Sequence, residues 1–272
     1  MKEHALRFGE GGGLLGLVTV PEEQRDGSPG VLILNAGLLH RVGPCRMGVD
    51  LARRSARLGA PTLRFDSSGL GDSAPTHDDL PYEERAVRDI QSAMDVLAEQ
   101  RGVDEFILLG LCSGAFNAHA TALVDRRVKG AVFLDGYGYP TRRYHVRHYA
   151  ARALDGERWL RFAKRKLRRS KGSGATPRKP TVYEAMFPPR ERFGQELATL
   201  IANDVRMLFV YTGGGARTYL NYAEQLADAF PDLDLDHCVE VTYLPDVDHI
   251  YTLAAHRQQL YERFEQWLVP ML

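Results

Sequence analysis

Five residues carry the reactive chemistry most openly: Gly110-Leu-Cys-Ser-Gly114. A nucleophile on a sharp strand-to-helix turn needs small residues two positions before and two after it, because the backbone is crowded there. Around Cys112 those positions are Gly110 and Gly114. Around Ser113 they are Leu111 and Ala115, and leucine does not fit. The pattern therefore selects Cys112 as the nucleophile and makes Ser113 the residue after it. The apolar run Phe106–Leu109 before the turn and the helical pattern after it give the turn its expected setting. A cysteine so placed points to acyl chemistry through an S-acyl intermediate. Cys45 and Cys238 lie in no such setting and read as inert. Three widely spaced cysteines are neither a disulfide framework nor a zinc site, and they suit a reducing compartment.

The elements that must hold this turn follow from hydrophobic patterning. Gly30–Asn35 is an unbroken apolar run, as in a strand buried on both faces. Pro44–Leu58 reads as a helix, Thr62–Phe65 as a strand, and Pro81–Arg101 as a helix with Val87, Ile90, Met94 and Leu97 on one side. The alternation continues: strand Glu105–Gly110, helix to Ala122, strands Val128–Leu134 and Arg206–Tyr211, helix Tyr222–Phe230, strand Cys238–Leu244, helix Tyr251–Leu268. Such alternation implies a mostly parallel α/β sheet with helices on both faces. Ala5–Phe8 and Leu14–Val20 flank a Gly-rich turn and read as an antiparallel hairpin at the sheet edge.

The rhythm breaks between Tyr137 and Asp204. The expected division is a core of 1–136 and 205–272 with a cap inserted at 137–204, over the carboxyl ends of the strands where open α/β sheets bind ligands. Within the insertion Trp159, Phe162, Ala163 and Leu167 share a helical face, and Lys171–Pro180 is turn-rich and polar. The overall charge is zero, with 35 basic and 35 acidic residues, yet Thr141–Arg190 holds 15 Lys and Arg against 3 acids. This basic segment, with the run Lys164–Arg169 at its centre, is a feature that an anionic partner would meet. Nucleic acid is not the expected partner, because the body is acidic and no stacking aromatics interleave the basic run.

The sequence resembles the α/β-hydrolase superfamily, in particular its serine-aminopeptidase-like and exosortase-associated members. The matching stretches are Leu34-Asn-Ala-Gly-Leu-Leu-His-Arg-Val-Gly-Pro44, Phe65-Asp-Ser-Ser-Gly-Leu-Gly-Asp-Ser73, Gly110–Gly114 and Asp246-Val-Asp-His249. The resemblance covers essentially the whole chain outside the cap. The resemblance implies an α/β-hydrolase fold with His249 as general base and the backbone N–H of Ser113 as first oxyanion donor. It implies a second donor at Ala36 or Gly37, although Asn35-Ala36 stands where the family has His-Gly. His40 and Arg41, in the same loop, are candidates for touching substrate. Asp66 corresponds to a structural residue of the family.

The triad acid departs from the pattern. Family members carry Asp or Glu just after the strand ending here at Tyr211, but this chain reads Thr212-Gly-Gly-Gly-Ala-Arg217. Asp135, at the end of the preceding strand, ranks first. Asp246 and Asp248 are also near His249, and a Cys–His pair can work without an acid.

These readings lead to an enzyme that transfers an acyl group from an ester or thioester through Cys112, as a hydrolase or as an acyl or aminoacyl transferase between phosphopantetheine thiols. The basic cap would suit coenzyme A or an acyl carrier protein. The alternatives are a small-molecule esterase or lactone hydrolase, and a non-catalytic binding protein on the same fold. No cofactor or metal is called for. The first residues lack the apolar stretch of a secretory signal, and no apolar run reaches the ~20 residues of a membrane span, so the expected location is the cytoplasm. A homodimer is compatible with the sequence.

Overall fold

In a computed structural model, residues 1–76, 78–153, 187–216 and 219–272 are described. The basic run Lys164–Arg169, the Trp159–Leu167 face and the Lys171–Pro180 stretch lie outside these residues.

Eight strands form one sheet: β1 (Lys2–Phe8), β2 (Leu14–Val20), β3 (Gly30–Ile33), β4 (Thr62–Asp66), β5 (Phe106–Leu111), β6 (Val128–Leu134), β7 (Arg206–Thr212) and β8 (Val239–Leu244). Their order is β1-β2-β4-β3-β5-β6-β7-β8. The β1–β2 hairpin pairs antiparallel, Lys2 opposite Val20 and Phe8 opposite Leu14, and β2 joins β4 antiparallel. All other pairings are parallel. The fold is that of an α/β hydrolase, with the hairpin at the sheet edge as its sequence implies.

The central strands are apolar on both faces because helices cover both. Alternate residues of β5 face opposite layers: Phe106 and Leu108 join one core cluster, Ile107, Leu109 and Leu111 the other. The first cluster packs under α2 (Tyr82–Arg101), α3 (Ser113–Val124) and α5 (Arg190–Ala202). The second packs under α1 (Met47–Arg57) and the final helix α7 (Ala254–Leu268), whose Leu260, Phe264 and Trp267 are fully buried. Each such side chain contributes about 1.5–3 kcal/mol through burial.

Two further α-helices are described, α4 (Arg142–Ala153) and α6 (Gln225–Ala229). Of the segment expected as a cap, α5 buries Phe193, Leu197 and Leu200 in the first core cluster, so this helix is built into the layer beside α3. Element ends shift for local reasons. The last helix begins at Ala254 rather than Tyr251, because Tyr251 has a left-handed φ of 54° and cannot start a helix.

Candidate active site

β5 ends at Leu111 and α3 begins at Ser113, leaving Cys112 alone at the turn with φ 59° and ψ −120°. A side chain holds this conformation only under strain of order 1–3 kcal/mol, and strained residues gather at functional sites. Six described non-glycine residues have positive φ; Cys112, Asp135 and Tyr251 are three of them. The crowding inferred from the sequence is present at both flanks. A Cβ on Gly110 would lie 2.1 Å from the Gly114 carbonyl, and one on Gly114 would lie 2.4 Å from the Asn35 carbonyl oxygen. The Cys112 N–H donates to the Leu134 carbonyl at 2.9 Å, which ties the turn to β6.

Asp135 follows β6 and is completely buried. Its carboxylate accepts from the Thr212 N–H at 2.6 Å and the Thr212 hydroxyl at 2.7 Å. It also lies 2.6 Å from His249 Nδ1. His249 stands in the loop after β8 and is about one-third exposed, with 35% of its side chain accessible. Hydrogen bonds to Asp135 and then to Cys112 push its pKa up to about 10, against the opposing effect of burial. With Nδ1 facing Asp135, Nε2 is the nitrogen left for the thiol.

The other two carboxylates do not reach the ring in this way. Asp248 accepts from the Thr252 N–H and hydroxyl, which organises the turn into α7, and Asp246 is exposed.

The end of β7 shows how His249 comes so close to Asp135. Gly213 donates to the Leu244 carbonyl and Gly214 to the Val247 carbonyl, so the two loops run side by side. A Cβ on Gly213 would fall 1.8 Å from the Pro245 oxygen. On Gly215 it would fall 2.0 Å from Asp135 Oδ2 and 2.5 Å from His249 Nδ1. The glycine run makes room for the histidine loop to approach the neighbouring strand's aspartate. Thr212 was not singled out from the sequence; the signal available was a hydroxyl residue directly before a run of glycines where the family has its acid.

The loop after β3 lies beside the turn. Asn35 braces it: Oδ1 accepts from the Ser67 N–H at 2.8 Å and hydroxyl at 3.1 Å, while Nδ2 donates to the Leu39 carbonyl at 2.9 Å. The Gly37 N–H donates to Ser113 Oγ at 2.8 Å, so one expected oxyanion donor is engaged by the residue after the thiol. The Ser113 N–H opens α3 and has no carbonyl partner, as the first N–H groups of a helix do not. Ala36 is half-buried, and its N–H has no hydrogen-bond partner among the described residues.

Arg41 is not free for substrate in this arrangement. Its N–H donates to Asp66 at 2.6 Å, and its guanidinium binds buried Asp66 and, at 2.7 Å, Asp72. His40 is exposed, and its Nδ1 accepts from the Val42 N–H at 3.4 Å.

A cavity of about 410 Å³ opens beside this loop, bounded by Gly37, Leu38, Leu70, Tyr82, Ala86 and Ser113. A larger one of about 540 Å³, near Glu10, Pro75 and Arg88, touches neither Cys112 nor His249. Among the described residues no three His, Cys, Asp or Glu side chains converge as a metal site, and no helix is long and apolar enough to cross a membrane.

Comparison with known proteins agrees with this architecture. The sequence profile described as alpha/beta hydrolase fold matches residues 29–227. No curated protein matches the sequence. Among solved structures, the chain is similar to a hypothetical protein from Pseudomonas aeruginosa, at 16% identity and TM-score 0.63, covering 100% of this chain and 94% of that one. An α/β serine hydrolase without a lid from Xanthomonas campestris aligns at 15% identity and TM-score 0.57, covering 100% and 95%. Est1E from Butyrivibrio proteoclasticus aligns at 14% identity and TM-score 0.59, covering 98% of each chain. At such identities the likeness concerns the fold alone. With the profile spanning well over half of the sequence, the chain belongs to the alpha/beta hydrolase fold family.

Proposed function

We propose that the protein is an acyl-transfer enzyme working through an S-acyl intermediate on Cys112, with His249 as its acid–base and Asp135 as the residue that orients the imidazole. The observation carrying this reading is His249 standing between the buried Asp135 carboxylate and a thiol held at a strained strand-to-helix turn.

The cycle begins with the thiol's proton held on His249, whose pKa is raised to about 10, and the Cys112 sulfur attacks the carbonyl carbon of an ester or thioester. The oxyanion that forms is held by the Ser113 N–H and by Ala36 or Gly37, the latter once the Ser113 hydroxyl has turned away. Collapse expels the alcohol or thiol, which takes its proton from the imidazolium, and leaves the acyl group on sulfur. An acceptor then gives its proton to His249, attacks the thioester and restores the thiol. Exchange of thioester for thioester is nearly balanced in energy, so a cysteine can pass its acyl group to a thiol or amine as well as to water. The basic character of Thr141–Arg190 favours a phosphopantetheine donor, on coenzyme A or an acidic carrier protein, and Arg142, Arg143 and Arg147 are exposed on α4.

Initial rates with matched oxygen esters and pantetheine thioesters test this, with added thiol or amine acceptors and with salt varied. Thioester preference that weakens in salt, with acyl product on the acceptor, is the expected result. Salt-insensitive turnover of simple esters alone would make the protein a small-molecule esterase or lactone hydrolase. A second reading, a non-catalytic binding protein, draws on the Ser113 hydroxyl that fills the Gly37 N–H. It predicts no turnover with any donor.

A further inference from the structure

A second chamber, of about 170 Å³, begins at the same Ser113 and Tyr82 that bound the first and runs along α3. Its walls differ in kind from those of its neighbour. In the larger cavity the polar groups are consumed internally: Asp89 accepts from the Ser68 N–H and hydroxyl, and Arg85 donates to Thr76. What remains for a ligand there is mostly carbon. The second chamber has aromatic sides, with Phe116 stacked on Tyr137 at 4.3 Å and Phe187 edge-on to Tyr137. His119, 4% exposed, stands in its wall, and its Nε2 has no hydrogen-bond partner among the described residues. Glu196 Oε2 lies 3.7 Å from that nitrogen, too far for a direct hydrogen bond. An orphaned polar atom in so buried a place calls for a partner, since on folding it gives up its bonds to water and gains none in return.

The chemistry of the missing partner follows from charge. Glu196 already binds Arg192 Nε through its other oxygen at 2.7 Å, so its charge is compensated. Burial, with Arg192 nearby, pushes the His119 pKa down to about 4, so the imidazole is neutral. An anion would meet Glu196 and Glu83, and a cation beside His119 would meet a Glu196 charge that Arg192 already compensates. A hydroxyl can accept from His119 and donate to Glu196 at once.

We propose that this chamber is a specificity subsite for a hydroxyl group on the acyl portion of the substrate, read by His119 and Glu196. His119 stands seven positions beyond Cys112, so the hydroxyl sits roughly 10 Å along the helix from the reacting carbonyl. The acyl side is the one that enters. The leaving group must reach His249, whose loop neighbours Val247 and Tyr251 pack in the core on one face of the sheet. The chamber belongs to the opposite face, where Phe193 and Tyr137 join the other core. This inference rests on the acyl-transfer reading above.

The test uses ethyl thioesters of octanoate, ω-hydroxyoctanoate and ω-aminooctanoate, whose extended chain spans about the 10 Å required. Acylation rates are measured on the intact protein, and binding by calorimetry on Cys112→Ala. The hydroxylated chain should acylate Cys112 at least tenfold faster than the plain chain and bind at least tenfold tighter. His119→Phe should erase that preference while leaving the plain chain's rate within about threefold. Glu196→Gln, which alters one partner with little change of shape, should reduce the preference and guards against misfolding of the first variant. Equal handling of hydroxylated and plain chains overturns the subsite, as does preference for the amino chain or a preference that survives His119→Phe. Selective binding to Cys112→Ala without acylation of the native protein would retain the subsite and overturn the acyl-transfer reading instead.

Discussion

The turns at the ends of β5 and β7 lie under the same site and are built in opposite ways. At β5 the proposed nucleophile, Cys112, is forced into a left-handed backbone between glycines that nothing larger could replace. At β7 the reactive side chain is missing and three glycines follow Thr212. Their emptiness lets the loop of His249 close to within 2.6 Å of Asp135 on the neighbouring strand. The first turn shows its chemistry by what it carries; the second by what it leaves out. In the proposed site the imidazole is thus oriented by an aspartate one strand along from the place the family uses, beside a turn thinned to glycine.

Moving the acid back is the strongest way to break this comparison. Asp135→Asn should lower the acylation rate by about 10³–10⁴-fold, since the imidazole loses the group fixing its tautomer and orientation. Adding Gly213→Asp, which restores a carboxylate where the family has it, should not rescue activity, because its Cβ would overlap the Pro245 oxygen. Rescue would mean that the glycine run has no spatial role.

Next in size is Gly215→Ala. Its methyl group would overlap both Asp135 and His249, and separating them should cost about 10²-fold in rate and about 1–3 kcal/mol in stability, read from denaturant midpoints. Thr212→Val keeps the shape but removes one of the hydrogen bonds to the buried carboxylate; a loss of about tenfold in rate is expected.

Two histidines should leave opposite signatures in the pH dependence of stability. The His249 pKa is raised to about 10, so its stabilising contribution is complete below the unfolded value of about 6.5 and lost as pH rises through about 10. His119 is depressed to about 4, so stability is full above about 6.5 and declines as pH falls toward 4, by about 3 kcal/mol. Melting curves from pH 4 to 10.5 should show the alkaline loss diminished in Asp135→Asn and the acid loss diminished in His119→Phe.

The smallest effect belongs to the β5 turn itself. Ser113→Ala frees the Gly37 N–H, and the acylation rate should change by no more than about threefold, upward if the hydroxyl only competes with the substrate oxygen. A large fall would make that hydroxyl a working part of the oxyanion site.

The two turns also differ in how far they could be read from sequence. The β5 elbow is legible because its constraint is local: Gly110 and Gly114 sit two residues either side of Cys112. The hairpin and the helix–strand alternation are legible for the same reason, through periods of two and of 3.6 residues. The acid's place depends on β6 lying beside β7, with Asp135 and Thr212 in contact across 77 positions of the chain. Short-range patterns hold no trace of that contact, so Asp135 could be ranked but not distinguished from Asp246 and Asp248. Arg41 looked available in an exposed loop because its partners, Asp66 and Asp72, come from another strand end. His119 gave no signal at all, being one of several polar residues on α3, with Asn117 and Thr121 two positions either side.

The most direct test of the whole account is the intact mass of the protein after brief exposure to an acyl thioester, with Cys112→Ala alongside. The account predicts a gain of one acyl group in the native protein, absent in Cys112→Ala and released by a thiol acceptor. An adduct that persists in Cys112→Ala, or no adduct with any ester or thioester donor, would contradict it.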